Sequence, residues 1–507
     1  MTTTTALADD RAAPGNTHRA TLDRILNYDL AQPLAFVALG LTYIASRAPF
    51  LNLGYGTDPD AWRMALGGYW LWDHASYYPS RLPGYPVPEL AYAAVIPGGW
   101  LATNLLTVVV SLAGVWFFAR IVSRLQLPNR AVLVVAFAFT PLLWINSMTT
   151  MDYMWALTFL LGAYYCLLTR ANFAAAALMG LAAASRSTTL LMVIPCVVYL
   201  WRDGQRSELR PFLSGVLAVT VLAYAPVAWR YGPQFLNFYD AKVGYLQVLR
   251  LLGKDTLGLI GSIAVIGAVI LSLPRLAKLP SDVVRDKDVM FWVLAILITV
   301  VSFARLPHEA AYLLPLYPFG FFLMARYFQR WVLLGAVSAV LLAGFVDLTS
   351  PGDEIDSEAF TNAQLGAGLI LSNRSTQLAQ RDFAEDLERL EAPERTVVMT
   401  GFIYPQFAVL NRDRLEVGIL EKDKSSISQL SDKGQAIDTT RQVTYVWLLD
   451  YDDFKRFQDE GYRFMYTLDA ARSTAGLYGY RPGLFGAEFI DLGRAPSGGS
   501  GGARTDR

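Results

Sequence analysis

From about residue 30 to residue 347 the chain is a succession of apolar blocks, each about 14 to 20 residues long, separated by short clusters of Arg, Lys, Asp, Gly and Pro. Blocks of that length suit a hydrocarbon slab of ~30 Å, which takes ~20 helical residues to cross. The pattern predicts about eleven helices, near 32–50, 96–119, 131–146, 151–168, 171–185, 187–201, 211–229, 256–273, 289–303, 309–325 and 331–347. No small-residue cleavage site follows the first block, so it is expected to stay in place as an anchor. Beyond residue 348 charges become regular, strand-like runs occur at 396–399, 443–449 and 464–468, and 451–461 has a helical period. The expected architecture is a polytopic α-helical membrane domain over 29–347 and a small soluble α/β domain over 348–494. A disordered N-terminus over 1–28 and a flexible Gly/Ser-rich tail over 495–507 flank them.

Composition explains why the blocks belong in lipid. Of 507 residues 54% are hydrophobic and 17% charged, against about 25% charged in soluble domains. Lys plus Arg equals Asp plus Glu at 43 each, so no basic excess points to nucleic acid. Cys166 and Cys196 both fall inside apolar blocks, which rules out a disulfide framework of the secreted kind. No Gly-rich phosphate loop ending in Lys-Ser/Thr occurs, which argues against ATP-driven transport.

Basic residues set the orientation. Arg120, Arg124, Arg130, Arg170, Arg202, Arg206, Arg210, Arg275, Lys278, Arg285, Lys287, Arg326 and Arg330 share one side, provided that 131–168 and 171–201 are each helical pairs. The positive-inside rule makes that side cytoplasmic, with the N-terminus inside the plasma membrane and the C-terminal domain outside. A single long helix over 171–201 would instead split the basic loops between two faces.

With that topology the loop 51–95 lies outside. Its Trp and Tyr residues suit interfacial helices, but interfacial helices do not account for Asp58, Asp60, Arg63, Arg81 and Glu89, because charges at membrane depth are costly unless paired or wetted. Asp152, Arg186, Lys242, Arg305, His308 and Glu309 fall on the same face. One such residue is readily a helix-end anchor; together they suggest a charged cavity open to the outside. Asn373-Arg-Ser375 has the form of a glycosylation acceptor, a short pattern that ordinarily marks a surface loop.

In order along the chain come one span, the outer loop opening on Asp60-Ala-Trp-Arg63, then Arg81 before the Pro-containing turn Leu-Pro-Gly-Tyr-Pro, and late in the domain Tyr312-Leu-Leu-Pro315. That order resembles the GT-C superfamily of integral-membrane glycosyltransferases, in the branch of protein O-mannosyltransferases and lipid A aminoarabinose transferases. The resemblance covers roughly 30–330. It departs at Asp58-Pro-Asp60, where close relatives often show Asp-Glu, and in the turn after Arg81.

The resemblance implies a sugar donor linked through phosphate to a polyprenyl chain and a hydroxyl acceptor on protein, lipid or glycan, with transfer on the outer face and inversion at the anomeric carbon. A carboxylate takes the acceptor's proton, with Asp60 the first choice and Asp58 the second. Arg81 leads for the donor phosphate, because its planar fork suits phosphate oxygens, with Lys242, Arg305 and His308 behind it. Arg63, Glu89, Asp152, Arg186 and Glu309 are further cavity residues. Asp58-Pro-Asp60 also has the form of a divalent-cation chelate, but a monophosphate donor can be held by Arg and Lys alone, so no metal or other cofactor is expected. The competing reading is an envelope lipid or glycan transporter, which calls for two related halves; no convincing internal repeat is present.

Overall fold

A computed structural model describes residues 14–233, 245–349, 364–419, 434–477 and 486–490. Among these, five helical stretches are long and apolar enough to cross a bilayer unaided: Pro33–Phe50, Pro86–Arg124, Arg206–Tyr231, Leu259–Leu276 and Lys287–Arg305. Their apolar side chains face outward. Ile266 and Leu271 on Leu259–Leu276 are 60% and 66% exposed, and Leu222 on the helix Leu209–Tyr231 is 77% exposed. A water-soluble protein would turn these surfaces inward; lipid makes them inexpensive.

The remaining crossings are shorter and interrupted. The block expected over 131–146 is two helices, Arg130–Phe139 and Pro141–Asn146, because Pro141 lacks an N–H and pushes Thr140 to φ −54°, ψ 130°. Arg47, fully buried, closes that break: it donates to Ala138 O at 2.6 Å and to Ser147 Oγ at 2.9 Å, with its guanidinium 3.4 Å above the Tyr43 ring. The block over 187–201 opens as a 3₁₀ turn, Ser187–Met192, before the helix Val193–Arg202. The block over 309–325 opens likewise with Ala310–Leu313 ahead of Leu316–Tyr327. The last helix stops at Leu342, and the chain enters a strand at Val346.

The pair over 171–201 is folded back on itself. Asn172 Nδ2 donates to Gln205 Oε1 at 2.7 Å and Arg170 pairs with Asp203 at 3.4 Å, so both ends of the pair meet on one face. At the turn between them Arg186 is extended (φ −156°, ψ 115°) and reaches Asp152 instead. The basic loops gather on the face of the pair's ends. Lys287 pairs with Asp203, Arg326 with Asp286 at 2.7 Å, Arg330 with Asp23, and Asn129 N donates to Asn27 Oδ1 at 2.7 Å. Part of the N-terminal segment expected to be disordered is a helix, Pro14–Leu26, where Arg330 finds its partner. The tail 495–507 lies outside the described residues.

The C-terminal domain is built on a six-stranded mixed sheet. With β1 Val346–Thr349 and β2 Gln364–Ala367 forming a separate antiparallel pair, the sheet comprises β3 Thr396–Met399, β4 Glu416–Ile419, β5 Gly434–Asp438, β6 Val443–Val446, β7 Arg463–Tyr466 and β8 Glu488–Phe489. Their order is β4-β5-β6-β3-β7-β8. The parallel centre, β6-β3-β7, carries TVVM and VTYV with every residue buried, as continuous apolar runs flanked by helices should be. Helices Leu369–Glu388, Tyr404–Leu410, Tyr451–Asp459 and Leu468–Leu477 accompany the sheet.

The β1 strand ties this domain to the membrane helices. Asp347, 3% exposed, accepts from Leu259 N at 2.7 Å and Ile260 N at 2.9 Å, capping the helix Leu259–Leu276 from outside it. Gly258 has φ +73°, and a Cβ there would lie 2.9 Å from that carboxylate. Asp347→Ala removes both acceptors, and the expected cost is about 1–2 kcal/mol. Thermal unfolding in detergent should show the loss, and an unchanged Tm would mean the cap is dispensable.

Candidate functional site

The site begins with a helix start. Pro59 occupies the first position of Pro59–His74 and has no N–H to give, so the Asp58 carboxylate reaches over it and accepts from Asp60 N at 2.9 Å. The cap is therefore Asp58. Asp60, two residues further on, turns both oxygens to cations: Oδ1 lies 3.2 Å from Arg63 Nη1, one turn along, and Oδ2 lies 2.9 Å from Arg81 Nε.

Arg81 is carried by a loop that Glu89 folds. Glu89 is 5% exposed and accepts from Ser80 N at 2.6 Å, Ser80 Oγ at 2.5 Å, Tyr85 N at 3.1 Å and the Tyr77 hydroxyl. It was expected in the cavity; instead its carboxylate is spent on donors of its own loop. Arg81 then spans two acids, with Nη2 2.9 Å from Asp152 Oδ1 and its guanidinium 4.1 Å over the Tyr85 ring. Asp152 is completely buried, and its second oxygen receives Arg186 Nη1 at 2.7 Å. The outcome is an alternating chain of Arg63, Asp60, Arg81, Asp152 and Arg186. Among the described ion pairs, Asp60 is shared by Arg63 and Arg81, and Asp152 by Arg81 and Arg186. Arg81 Nη1, also buried, has no hydrogen-bond partner among the described residues.

Two openings flank this chain. One is a polar chamber of about 300 Å³, at the low end of the ~300–1,000 Å³ usual for ligand clefts. Asp58, Asp255, Glu309, Thr149, Asn146 and Tyr153 contribute to its wall. The other is a narrow slot of about 30 Å³, whose wall combines Leu157, Leu160, Met192 and Leu314 with Arg186, Tyr153, Thr189 and Ser302. Asp58, half-buried, has its carboxyl raised to about 7 by burial and then by the charge of Asp60.

The C-terminal domain forms part of the chamber. Ser372, Asn373 and Thr376 of Leu369–Glu388 line it, and that helix grips the residue before the cap: Asn373 Nδ2 donates to Thr57 Oγ1 and Gln380 Nε2 to Thr57 O, both at 3.0 Å. Asn373 thus sits in a partly buried helix contact, not in the surface loop its Asn-Arg-Ser pattern suggested. Farther along, the Arg412 guanidinium lies 3.6 Å above the Tyr69 ring and that of Arg63 5.3 Å from the Trp447 ring.

Of the sequence candidates, Asp58, Asp60, Arg63, Arg81, Asp152 and Arg186 are brought together, and Glu309 joins them across the chamber. Arg305 and His308 line neither opening, and Lys242 lies outside the described residues. Sequence reasoning missed Asp255, which reads as an ordinary polar residue ahead of an apolar block. It also missed Arg47, which at the end of the first block reads as an interfacial anchor.

The chain is similar to ArnT from Cupriavidus metallidurans. Its crystal structure bound to undecaprenyl phosphate aligns with a TM-score of 0.47 at 14% identity, covering 76% of this chain and 85% of that one. The apo state aligns with a TM-score of 0.42 at 16% identity, covering 75% of this chain and 66% of that one, just under two thirds of its length. No family model and no curated protein matches the sequence.

Removing the charge of Asp152 tests how far the site depends on it. Asp152→Asn leaves Arg81 and Arg186 facing each other over a neutral amide, and the expected destabilisation is about 3–5 kcal/mol, the usual cost of an orphaned buried charge. Adding Arg186→Gln should recover part of it. Denaturation of the single and double variants measures both, and a double variant no better than the single one would mean the two charges are not coupled through Asp152.

Proposed function

We propose that the protein is a membrane-embedded glycosyltransferase that moves a hexosyl or pentosyl group from a polyprenyl-phosphate donor to a hydroxyl acceptor on protein, lipid or glycan. The observation that carries this reading is the pair of guanidinium groups, Arg81 and Arg186, held on the single buried carboxylate of Asp152, with an apolar slot and a polar chamber beside them. A sugar phosphodiester with a lipid tail is an apolar chain, one negative charge and a polar ring in that order, and the site offers a complement to each in the same order. Undecaprenyl phosphate, the ligand of the ArnT crystal structure, is the natural donor scaffold to try.

In the proposed step the acceptor oxygen attacks the anomeric carbon from the face opposite the phosphate, and the bond from that carbon to the phosphate oxygen breaks. The leaving group departs as polyprenyl phosphate, its growing charge met by Arg81 and Arg186. The acceptor proton passes to a carboxylate. We assign this base to Asp58 in preference to Asp60, because Asp58 faces the chamber and is poised near neutrality, whereas both oxygens of Asp60 are held by arginines. Asp60 then positions Arg81. With the phosphate charge met by guanidinium groups, the reaction needs no metal.

Asp58→Asn keeps the helix cap, since Asn caps as well as Asp, but loses the base. Turnover should fall about 10²- to 10⁴-fold while donor affinity changes little. In the unaltered enzyme turnover should rise with pH through about 7, since Asp58 acts only when deprotonated, and should be indifferent to EDTA. Release of free polyprenyl phosphate in these assays also distinguishes transfer from transport. Full turnover in Asp58→Asn would dismiss that residue as the base.

By the positive-inside rule we read the face of the basic loops as cytoplasmic and the site and C-terminal domain as lying on the other side. A cysteine at exposed Asp452, in a background without Cys166 and Cys196, should react with an impermeant thiol reagent in intact spheroplasts, and one at exposed Ser281 only after lysis. The reverse pattern would invert the topology.

A further inference from the structure

We propose that the Tyr153 hydroxyl binds the phosphoryl oxygens of a polyprenyl-phosphate ester, between the apolar slot and the polar chamber whose walls it shares. This rests on the lipid-phosphate reading above and adds to it a residue that no motif marks.

Tyr153 and Ala311 alone line both openings, so a ligand with its tail in one and its sugar in the other must pass them. Ala311 offers only a methyl group there. Tyr153 is 4% exposed, yet its hydroxyl has no hydrogen-bond partner among the described residues. Buried hydroxyls are ordinarily paired, and a phenylalanine would fill the same space without stranding an oxygen. Placement on the chain is equally specific. Tyr153 starts the helix Tyr153–Leu168 directly after Asp152, so the residue that organises Arg81 and Arg186 also fixes where the phenol stands.

A cation stands beside the ring on the slot side, while the Asp58 carboxylate lies on the chamber side. The Arg186 guanidinium lies 4.7 Å from the centre of the Tyr153 ring and 4.2 Å from that of Tyr312. Through Asp152, Arg186 is linked to Arg81, whose Nη1 is likewise buried without a hydrogen-bond partner among the described residues. A phosphate at the junction would take a phenolic O–H from Tyr153 and a charged N–H group from Arg186, both donors to one acceptor. No proton is transferred: the phenol holds the phosphate by a hydrogen bond.

The test is Tyr153→Phe, which keeps the ring beneath Arg186. Binding is measured by calorimetry on the purified full chain with farnesyl phosphate as probe and farnesol, the same tail without phosphate, as control. Farnesyl phosphate should bind the variant about 10- to 100-fold more weakly, as for loss of a hydrogen bond to a charged acceptor. Farnesol should not distinguish the two proteins. Without ligand, the variant should melt at or above the Tm of the unaltered protein, because nothing in the fold uses the hydroxyl. Equal farnesyl phosphate affinity, an equal loss for farnesol, or a lower ligand-free Tm would each overturn the assignment while leaving the lipid-phosphate reading in place. Failure of the unaltered protein to bind farnesyl phosphate would overturn that reading, and this one with it.

Discussion

A single buried carboxylate, that of Asp152, holds together segments that are far apart in sequence. It sits at zero exposure between Arg81, from the loop before Pro86–Val95, and Arg186, from the extended residue between Asn172–Ser185 and the following 3₁₀ turn. A carboxylate in such a place is costly unless it is paired and fully hydrogen-bonded. With one guanidinium on each oxygen, Asp152 meets that condition, and in meeting it fixes the loop and the helix break at once. The break at Arg186 has no proline to force it. Its cause is tertiary: the arginine leaves the helix because a buried acid awaits it.

That dependence explains what could be read from the sequence and what could not. Apolar blocks are local signals, so the membrane helices were legible as elements, and the β3 and β6 strands were legible as short apolar runs. Pro141 marked its own helix break, though the block around it read as continuous. The polar strands at the edge of the sheet were not legible, because Glu416–Ile419 and Gly434–Asp438 owe their conformation to pairing with each other more than to their own residues. In the site, charged residues stood out against an apolar background, and Asp58, Asp60 and Arg81 were found that way. Which charges face each other was hidden, since 71 residues separate Arg81 from Asp152. Glu89 illustrates the limit: an acid in a loop full of candidates, it serves the loop. Tyr153 illustrates the converse, a tyrosine at a helix start with nothing in its spacing to mark it.

The C-terminal domain reaches the same site by amide hydrogen bonds and a cation–π contact. Thr57, gripped by Asn373 and Gln380, directly precedes the Asp58 cap, and Arg412 lies over Tyr69 on the helix that this cap begins. The amide hydrogen bonds position the backbone before the cap, and the guanidinium of Arg412 seats on the face of Tyr69. The domain also lends Ser372, Asn373 and Thr376 to the chamber wall, groups that can meet hydroxyls in either hydrogen-bonding sense.

The order Asp-Pro-Asp ties these features together. With proline at the first helical position, the first free N–H is that of Asp60, so the preceding acid must fold inward to cap it. Asp58 is thereby fixed at the chamber wall by an interaction that leaves its second oxygen for other work. Asp60, in the first turn, points its side chain to the arginines, where its charge also suits the positive end of the helix. Two acids two residues apart thus receive different neighbours from one rule of helix initiation: one faces the chamber, and the other is bound to the cations beside it.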